Sequence, residues 1–175
     1  TDGQSDVMLV SSGGKAIRFG EQALRPMGRS ARGVRGIRLK DGQNVIALIP
    51  ISGEGTLVIA TANGYGKRTL YSEFPVKGRG GQGVIAIQAN DRNGDVIGAG
   101  LANVGEDIML ITGKGILVRT PAAEISVIGR NTQGLRLIAL KAGEQLIGLE
   151  TIPEIIDIEE NPTLISSPES DEIVN

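Results

Sequence analysis

The stretch GRGGQG at residues 78–83 is the middle member of a set of three related loops. Its counterparts are GRSARG at residues 28–33 and GRNTQG at residues 129–134, so each loop begins with Gly-Arg and ends with Gly. The loops are spaced by 50 and then by 51 residues. Regular spacing of this length indicates a repeat architecture, and we treat the chain as three copies of one unit.

The similarity extends well beyond these loops. Segments at residues 6–51, 56–102 and 107–152 align along their whole length. Equivalent positions carry the same residue types, among them Gly14, Gly64 and Gly115, and Arg18, Arg68 and Arg119. The sequence therefore predicts three structural units within residues 1–152, followed by a separate tail at residues 153–175.

Each unit has the pattern of β structure. The apolar run VMLV at residues 7–10 is typical of a strand buried on both faces, and the glycines after it suit a tight hairpin. A basic strand at residues 16–19 follows, and two further strands are expected at residues 34–39 and 45–49, with equivalents in the other units. The third of these four strands is expected at residues 84–89 and 135–140 in the later units. Only short helical segments are expected, near residues 21–24, 72–74 and 122–125.

Four strands in about 50 residues are typical of a propeller blade. We therefore predict an all-β chain of about three four-stranded, propeller-like blades. Propellers usually close with about four to eight blades. Three blades are expected to form an open arc, or to be joined by further blades in a longer chain.

The composition excludes several classes of site. The 175 residues include no Cys, no His and no Trp, with only two Phe and two Tyr. Thiolate and imidazole zinc sites, disulfides and Ser-His or Cys-His catalytic pairs are thereby ruled out. No apolar run approaches the roughly 18 residues that span a bilayer, and the first residues do not form a signal peptide. We expect a cytoplasmic chain without membrane contact, catalytic residue, cofactor or metal.

Two short motifs are weak candidates for ligand sites. The loop at residues 78–83 fits G-x-G-x-x-G, but the dinucleotide motif opens a helix, whereas VIAI at residues 84–87 is typical of a strand. The stretch DRNGD at residues 91–95 begins like a calcium loop but has Val96 and Ala102 where that loop needs Gly and Glu. A hairpin turn accounts for it better.

The net charge of −2 hides an uneven distribution. Residues 153–175 contain seven of the 20 acids and no base. Residues 1–152 contain all 18 Lys and Arg against the remaining 13 acids, a net charge of +5. This asymmetry is typical of chains that bind a polyanion, although acidic tails also serve solubility.

The basic residues recur in register, which gives them a possible common role. A glycine-flanked loop allows backbone N–H groups to approach a phosphate, and an arginine fork matches phosphate oxygens. Three such loops at equal spacing on a curved scaffold would form a track for phosphates. The alternative is that these arginines solubilise exposed strands and protect sheet edges from aggregation.

Several stretches resemble one known family. RNTQG at residues 130–134, NGYGKRT at residues 63–69 and GVRGI at residues 33–37 are similar to the C-terminal domain of bacterial DNA gyrase A. The resemblance covers about residues 6–152. The family's hallmark Q-R-R-G-G-[RK]-G, which lies in its first blade, does not occur, and KGRGGQG at residues 77–83 is a degenerate relative. The chain therefore resembles the last three blades with an acidic tail.

The resemblance implies a β-pinwheel, a propeller-like ring of about six blades that exchange strands between neighbours. It also implies that a basic rim wraps double-stranded DNA and so supports negative supercoiling by an ATP-dependent type II topoisomerase. The implied partners are the rest of the gyrase A polypeptide and the gyrase B polypeptide. The C-terminal domain of the corresponding topoisomerase IV polypeptide, the C protein of that enzyme, is similar and remains an alternative.

We therefore predict DNA binding and bending without sequence specificity, dominated by phosphate contacts. A propeller that binds a protein partner is the alternative from another class, and the acidic tail is a candidate competitor of DNA. The predicted DNA-binding residues are Lys15, Arg18, Arg29, Arg32, Lys67, Arg68, Lys77, Arg79, Arg119 and Arg130.

Overall fold

A computed structural model describes residues 3–153 of the chain, so the predicted tail lies outside the described residues apart from Pro153. The described part consists of β-strands and three short 3-10 helices, with no α-helix among these residues. The 3-10 helices, Glu21–Ala23, Tyr71–Glu73 and Ala122–Glu124, confirm the expected short helical segments to within a residue. The strands are β1 (Asp6–Ser11), β2 (Lys15–Gly20), β3 (Val45–Ile51), β4 (Thr56–Thr61), β5 (Tyr65–Leu70), β6 (Val84–Ile85), β7 (Val96–Ala102), β8 (Asp107–Thr112), β9 (Leu117–Pro121), β10 (Leu135–Arg136) and β11 (Leu146–Ile152).

The strands form three antiparallel sheets that exchange strands between repeats. The first sheet has the order β3-β1-β2-β6, the second β10-β5-β4-β7 and the third β11-β8-β9. β6 belongs to the second repeat but pairs with β2 of the first, and β10 of the third repeat pairs with β5 of the second. This arrangement confirms the all-β, pinwheel-like fold. The third sheet has three strands among the described residues.

The exchanged strands are shorter than the sequence pattern predicts. Strands were expected at residues 34–39, 84–89 and 135–140, but the last two segments give two-residue strands and the first gives none. The pairing ends early because the next two N–H groups converge on one turn carbonyl. Ala86 and Ile87 both donate to the carbonyl of Gly14, at 2.9 and 3.2 Å. Residues 34–39 have no preceding repeat to pair with in the described part of the chain.

The core is aliphatic and runs through the stacked sheets. Every residue of β4 is buried, because its two faces pack in different directions. Leu57 and Ile59 join a cluster with Met8 and Val10 of the first sheet. Val58 and its neighbours on the other face join a cluster that includes Ile108 of the third sheet. The middle sheet is thereby sandwiched, as its uninterrupted apolar run indicates.

A glycine allows each exchanged segment to approach the preceding repeat. Gly83 has φ of +71°, and a Cβ on it would lie against the carbonyl of Ala16 in β2. Gly134 has φ of +74°, and its Cβ would lie 2.7 Å from the carbonyl oxygen of Gly66 in β5. Gly33 has the same kind of backbone, with φ of +77°, but a Cβ there would meet nothing within 4 Å.

This difference provides a matched pair of substitutions for the junction. We expect Gly33→Ala to cost about 1–2 kcal/mol, the usual penalty of a left-handed backbone for a residue with Cβ. Gly83→Ala carries that penalty together with steric conflict at the junction, so we expect a total loss of about 3 kcal/mol or more. Denaturant unfolding followed by circular dichroism measures both. Equal losses in the two variants would contradict the inter-repeat role of Gly83.

Candidate nucleic-acid interface

The three Gly-Arg loops, residues 28–33, 78–83 and 129–134, lie in a row because each rests on the preceding repeat. The amide of Arg38 donates to the carbonyl of Gly81 at 2.8 Å. The equivalent bond one repeat later runs from Gln88 to Thr132, also at 2.8 Å. These bonds attach each later loop to the segment that follows the loop before it.

The arginine at the second position of the later loops makes the same contact in both. Nη1 of Arg79 donates to the carbonyl of Arg35 at 3.2 Å, and Nη1 of Arg130 donates to the carbonyl of Ile85 at 3.1 Å. Arg79 also donates from Nε to the carbonyl of Ala23 at 3.2 Å. A guanidinium has five N–H donors, so these contacts orient each side chain and leave donors for a ligand. Arg79 is exposed and Arg130 is half-buried.

The row concentrates positive charge. We define the basic row as residues 28–40, 77–92 and 129–141, which hold 11 of the 18 Lys and Arg and one acid, Asp91. Four of the predicted residues, Arg29, Arg32, Lys77 and Arg79, are exposed on it, and Arg130 lies half-buried. The prediction omitted the remaining cations of the row, which are Arg35, Arg38, Lys40, Arg92, Arg136 and Lys141.

Two of these omitted cations had a detectable signal. The alternation of apolar and basic residues in VRGIRLK at residues 34–40 indicates one buried and one exposed side. The structure bears this out, since Ile37 is buried while Arg35 and Arg38 are exposed.

Two predicted contact residues are instead structural. Lys67 is 1% exposed, and its Nζ donates to the carbonyls of Gly129 and Arg130 at 2.5 and 2.6 Å. Arg68 is 6% exposed, and its Nε donates to the carbonyl of Ile125 at 2.8 Å. Both side chains are covered by the following repeat, which the sequence could not show, and we leave them out of the interface.

Burial also changes the proton affinity of these two cations. Desolvation lowers the pKa of Lys67 to about 8, with the nearby carboxylate of Glu73 acting in the opposite direction. Desolvation likewise lowers the pKa of Arg68. Removing water disfavours the charged form of a base, so the carbonyl contacts of Lys67 hold an ammonium at some energetic cost.

The other predicted residues lie off the row or beside it. Arg18 is paired with Asp6, with Nε 2.7 Å from Oδ2, and also donates to the carbonyl of Tyr71 at 3.0 Å. Arg119, its equivalent in the third repeat, contacts the Asp107 carboxylate at 2.5 Å. These ion pairs compensate both charges.

Lys15 lies beside the second loop. Its Nζ donates to Oε1 of Gln82 at 3.3 Å. Its charge has no acidic partner in this contact, so we keep Lys15 as a flanking residue of the basic row.

One cluster on the row was missed entirely from the sequence. Tyr65 lies against two guanidinium groups, those of Arg92 and Arg136. The hydrogen bond from Arg136, and after it that from Arg92, lowers the pKa of the Tyr65 phenol. Tyr65 does not recur in the other repeats, and its neighbours come from other segments, so no spacing in the sequence indicates the cluster.

Other kinds of site were also sought in residues 3–153. No group of three or more His, Cys, Asp or Glu in this part of the chain could hold a metal ion. None of its helices has the length and apolar character that crossing a bilayer requires.

Comparison with known proteins places the repeats in a family. The sequence profile of the DNA gyrase C-terminal domain, described as a beta-propeller, matches residues 5–52, 55–103 and 106–153. The chain belongs to this family. Its repeats agree with the sheets described above, since one family match falls on each of them.

Curated relatives that match this chain are much longer than it. The DNA gyrase A protein of Pseudomonas aeruginosa is 56% identical over 147 residues, which are 83% of this chain and 16% of that protein. The DNA gyrase A proteins of Salmonella typhimurium and Escherichia coli are 51% and 49% identical over 83% of this chain and 17% of theirs. The chain thus spans about a sixth of the length of these relatives.

Solved structures show the same fold. A DNA gyrase A C-terminal domain aligns with a TM-score of 0.79 and 25% identity, covering 86% of this chain and 51% of that one. The C-terminal domain of DNA topoisomerase IV aligns with a TM-score of 0.81 and 25% identity, covering 86% and 47%.

The buried ammonium of Lys67 makes stability depend on pH in a defined direction. Between pH 8 and the ordinary lysine value of 10.5, the unfolded chain holds a proton that the folded chain has released. Because the unfolded state then binds more protons, the free energy of unfolding rises with pH in this window. We expect a gain of about 1–2 kcal/mol over Lys67→Met between pH 8 and 10.5.

Urea unfolding of both proteins across this range measures the difference, and parallel pH curves would contradict it. A second measurement does not depend on the variant folding. The 15N shift of the Lys67 Nζ should titrate near pH 8 in the wild-type chain, and a midpoint above 10 would also contradict the assignment.

Proposed function

We propose that the basic row binds the phosphates of double-stranded DNA without base specificity and bends the duplex along the blades. The observation that carries this proposal is the concentration of 11 cations against one acid on three loops joined in register by hydrogen bonds. The glycines and arginines of these loops suit phosphate contact, and the loops contain few groups suited to base-edge readout.

Bending requires several contacts that act together. Bending a site of 20–30 base pairs by about 40–90° costs on the order of 1–6 kcal/mol. Residues 28–40 carry five cations and no acid, so this segment supplies the densest phosphate contact. The later loops continue the path, because each is hydrogen-bonded to the segment before it.

We further propose that the chain serves in a DNA gyrase as its DNA-wrapping part and supports negative supercoiling, with the rest of gyrase A and with gyrase B as partners in the cytoplasm. The relatives that support this are DNA gyrase A proteins at 49–56% identity. The topoisomerase IV domain supports the same fold at 25% identity, so we favour gyrase over topoisomerase IV.

The salt dependence of binding tests the phosphate contacts. If about four to eight phosphates are neutralised, log K should fall with log salt at a slope of about −4 to −7. Substituting Arg29, Arg79 and Arg130 together with Gln should weaken binding on all sequences and make the slope shallower by about 2–3. Fluorescence anisotropy with a labelled linear duplex measures affinity and slope.

A double variant of Lys114→Gln and Arg119→Gln is the control, since both residues lie off the basic row, and it should leave the slope unchanged. If the triple variant leaves affinity and slope unchanged as well, the DNA proposal fails. A protein partner would then be the better account of the basic row.

Glu73 weakens the row locally and gives an opposite prediction. Its Oε2 accepts the Arg130 amide at 3.0 Å, so a carboxylate lies beside the third loop where a phosphate would otherwise approach. The first repeat has Ala23 at this position. We expect Glu73→Ala to raise DNA affinity about two- to fivefold at low salt, because one repulsive charge is lost.

Glu124→Ala is the matched control for this effect. Glu124 is the equivalent residue of the third repeat and no later loop follows it in the described part of the chain. The same change in net charge should therefore have a smaller effect there. Equal effects of the two substitutions would show that Glu73 acts only through net charge.

A further inference from the structure

Tyr65, the first residue of β5, lies between two guanidinium groups on the basic row. Cζ of Arg92 is 4.5 Å from the centroid of the Tyr65 ring, and Cζ of Arg136 is 5.7 Å from it. Nη2 of Arg136 also donates to the phenol oxygen of Tyr65 at 3.3 Å. Both distances to the ring are within the range of cation–π attraction.

Strand exchange builds this cluster from two repeats. Arg136 is the cross-strand partner of Tyr65 in the pairing of β10 with β5. Arg92 lies in the turn before β7, and its Nη1 donates to Oε1 of Gln133 at 2.7 Å. The neighbouring Asn93 is buried and fixes this turn, because its Nδ2 donates to the carbonyls of Gln88 and Gln133 at 2.9 and 2.7 Å.

The junction between the first and second repeats has no such pair. Lys15 stands at the position of Tyr65, and Ile85 stands at the position of Arg136. Lys15 contacts Gln82, the equivalent of Gln133, so one cation at that junction replaces two guanidinium groups and a phenol. The cluster is therefore a feature of the second junction among the described residues.

We propose that Arg92 and Arg136 form a fork for one phosphodiester of bound DNA, with Tyr65 as the positioning residue that holds both guanidinium groups. The proposal rests on the proposed function and assigns one anchor point on the DNA path. Guanidinium groups match phosphate oxygens in charge and geometry.

The free state of the cluster is suited to this role. Two like charges at this distance repel each other, and the negative face of the ring and the phenol oxygen offset part of that repulsion. Each arginine uses one contact for orientation, Arg92 to Gln133 and Arg136 to Tyr65. The remaining N–H donors of both are left for a phosphate.

The phenol itself reports on occupancy of the fork. In the free chain the hydrogen bonds from Arg136 and Arg92 lower the pKa of Tyr65. A phosphate that takes over these donors adds negative charge and weakens their contact with the phenolate, so the pKa of Tyr65 rises. The chain has one other tyrosine, Tyr71, whose pKa is raised to about 12 by burial and by Glu106.

The first experiment follows both tyrosines by 13Cζ NMR in the whole chain between pH 8 and 10.5 at low salt. Addition of a short duplex should raise the pKa of Tyr65 and leave Tyr71 unchanged. An equal concentration of inorganic phosphate should leave both unchanged, since a single small anion lacks the other contacts of the row. An unchanged pKa of Tyr65 with duplex, or a rise with inorganic phosphate alone, would overturn the proposal.

The second experiment measures the contribution of the fork to binding. Substituting Arg92 and Arg136 with Gln should weaken duplex binding several-fold and make the salt slope shallower by about 1, as expected for one lost phosphate contact. Tyr65→Leu should have a similar effect, whereas Tyr65→Phe keeps the aromatic face and should restore most of the affinity. A slope unchanged in the double variant, or a Tyr65→Phe variant as weak as Tyr65→Leu, would contradict the assigned roles.

The two proposals fail in distinguishable ways. If the loop arginine variants weaken DNA binding but the Arg92 and Arg136 variant does not, the fork is wrong and the DNA-binding row stands. If neither set of substitutions changes binding, both proposals are wrong. Circular dichroism of each variant confirms that the sheets are retained.

Discussion

The contact between one repeat and the exchanged segment of the next is the interaction on which the rest of the structure depends. The carbonyl of Gly14 accepts the amides of Ala86 and Ile87, and the carbonyl of Gly64 accepts those of Leu137 and Ile138 in the same way. This contact closes the side of each hairpin that would otherwise be an open sheet edge. It also brings each Gly-Arg loop onto the preceding repeat, so the basic row follows from the strand exchange.

The same junction divides the basic residues into two groups with opposite roles. Lys67 and Arg68 point into the junction, where backbone carbonyls satisfy them and desolvation lowers their pKa values. Arg79 and Arg130 use a few donors on carbonyls of the preceding repeat and keep others available. A cation under the third loop thus supports the backbone that carries Arg130, and the two groups cooperate without sharing a ligand.

Much of the fold could be predicted from the sequence because each repeat is written in local patterns. The apolar run of β4, the turn glycines and the short 3-10 helices depend on neighbouring residues, and these were found where expected. The length of the exchanged strands was not, because it depends on a carbonyl of another repeat. For the same reason Lys67 could not be told apart from an exposed lysine. Tyr65, Arg92 and Arg136 meet only through the exchange of β10, so no periodicity in the sequence connects them.

The central claim is that DNA phosphates contact the basic row and not the other basic residues. An arginine-selective dicarbonyl reagent, with modification rates read by mass spectrometry, tests it on the unaltered chain. A bound duplex should slow the modification of Arg29, Arg32 and Arg79 by about tenfold or more, as expected for side chains occupied by phosphate. Arg119, whose side chain is 63% exposed and paired with Asp107, should react at the same rate with and without duplex. Equal protection of Arg119 and the row, or no protection at Arg29 and Arg79, would contradict the account.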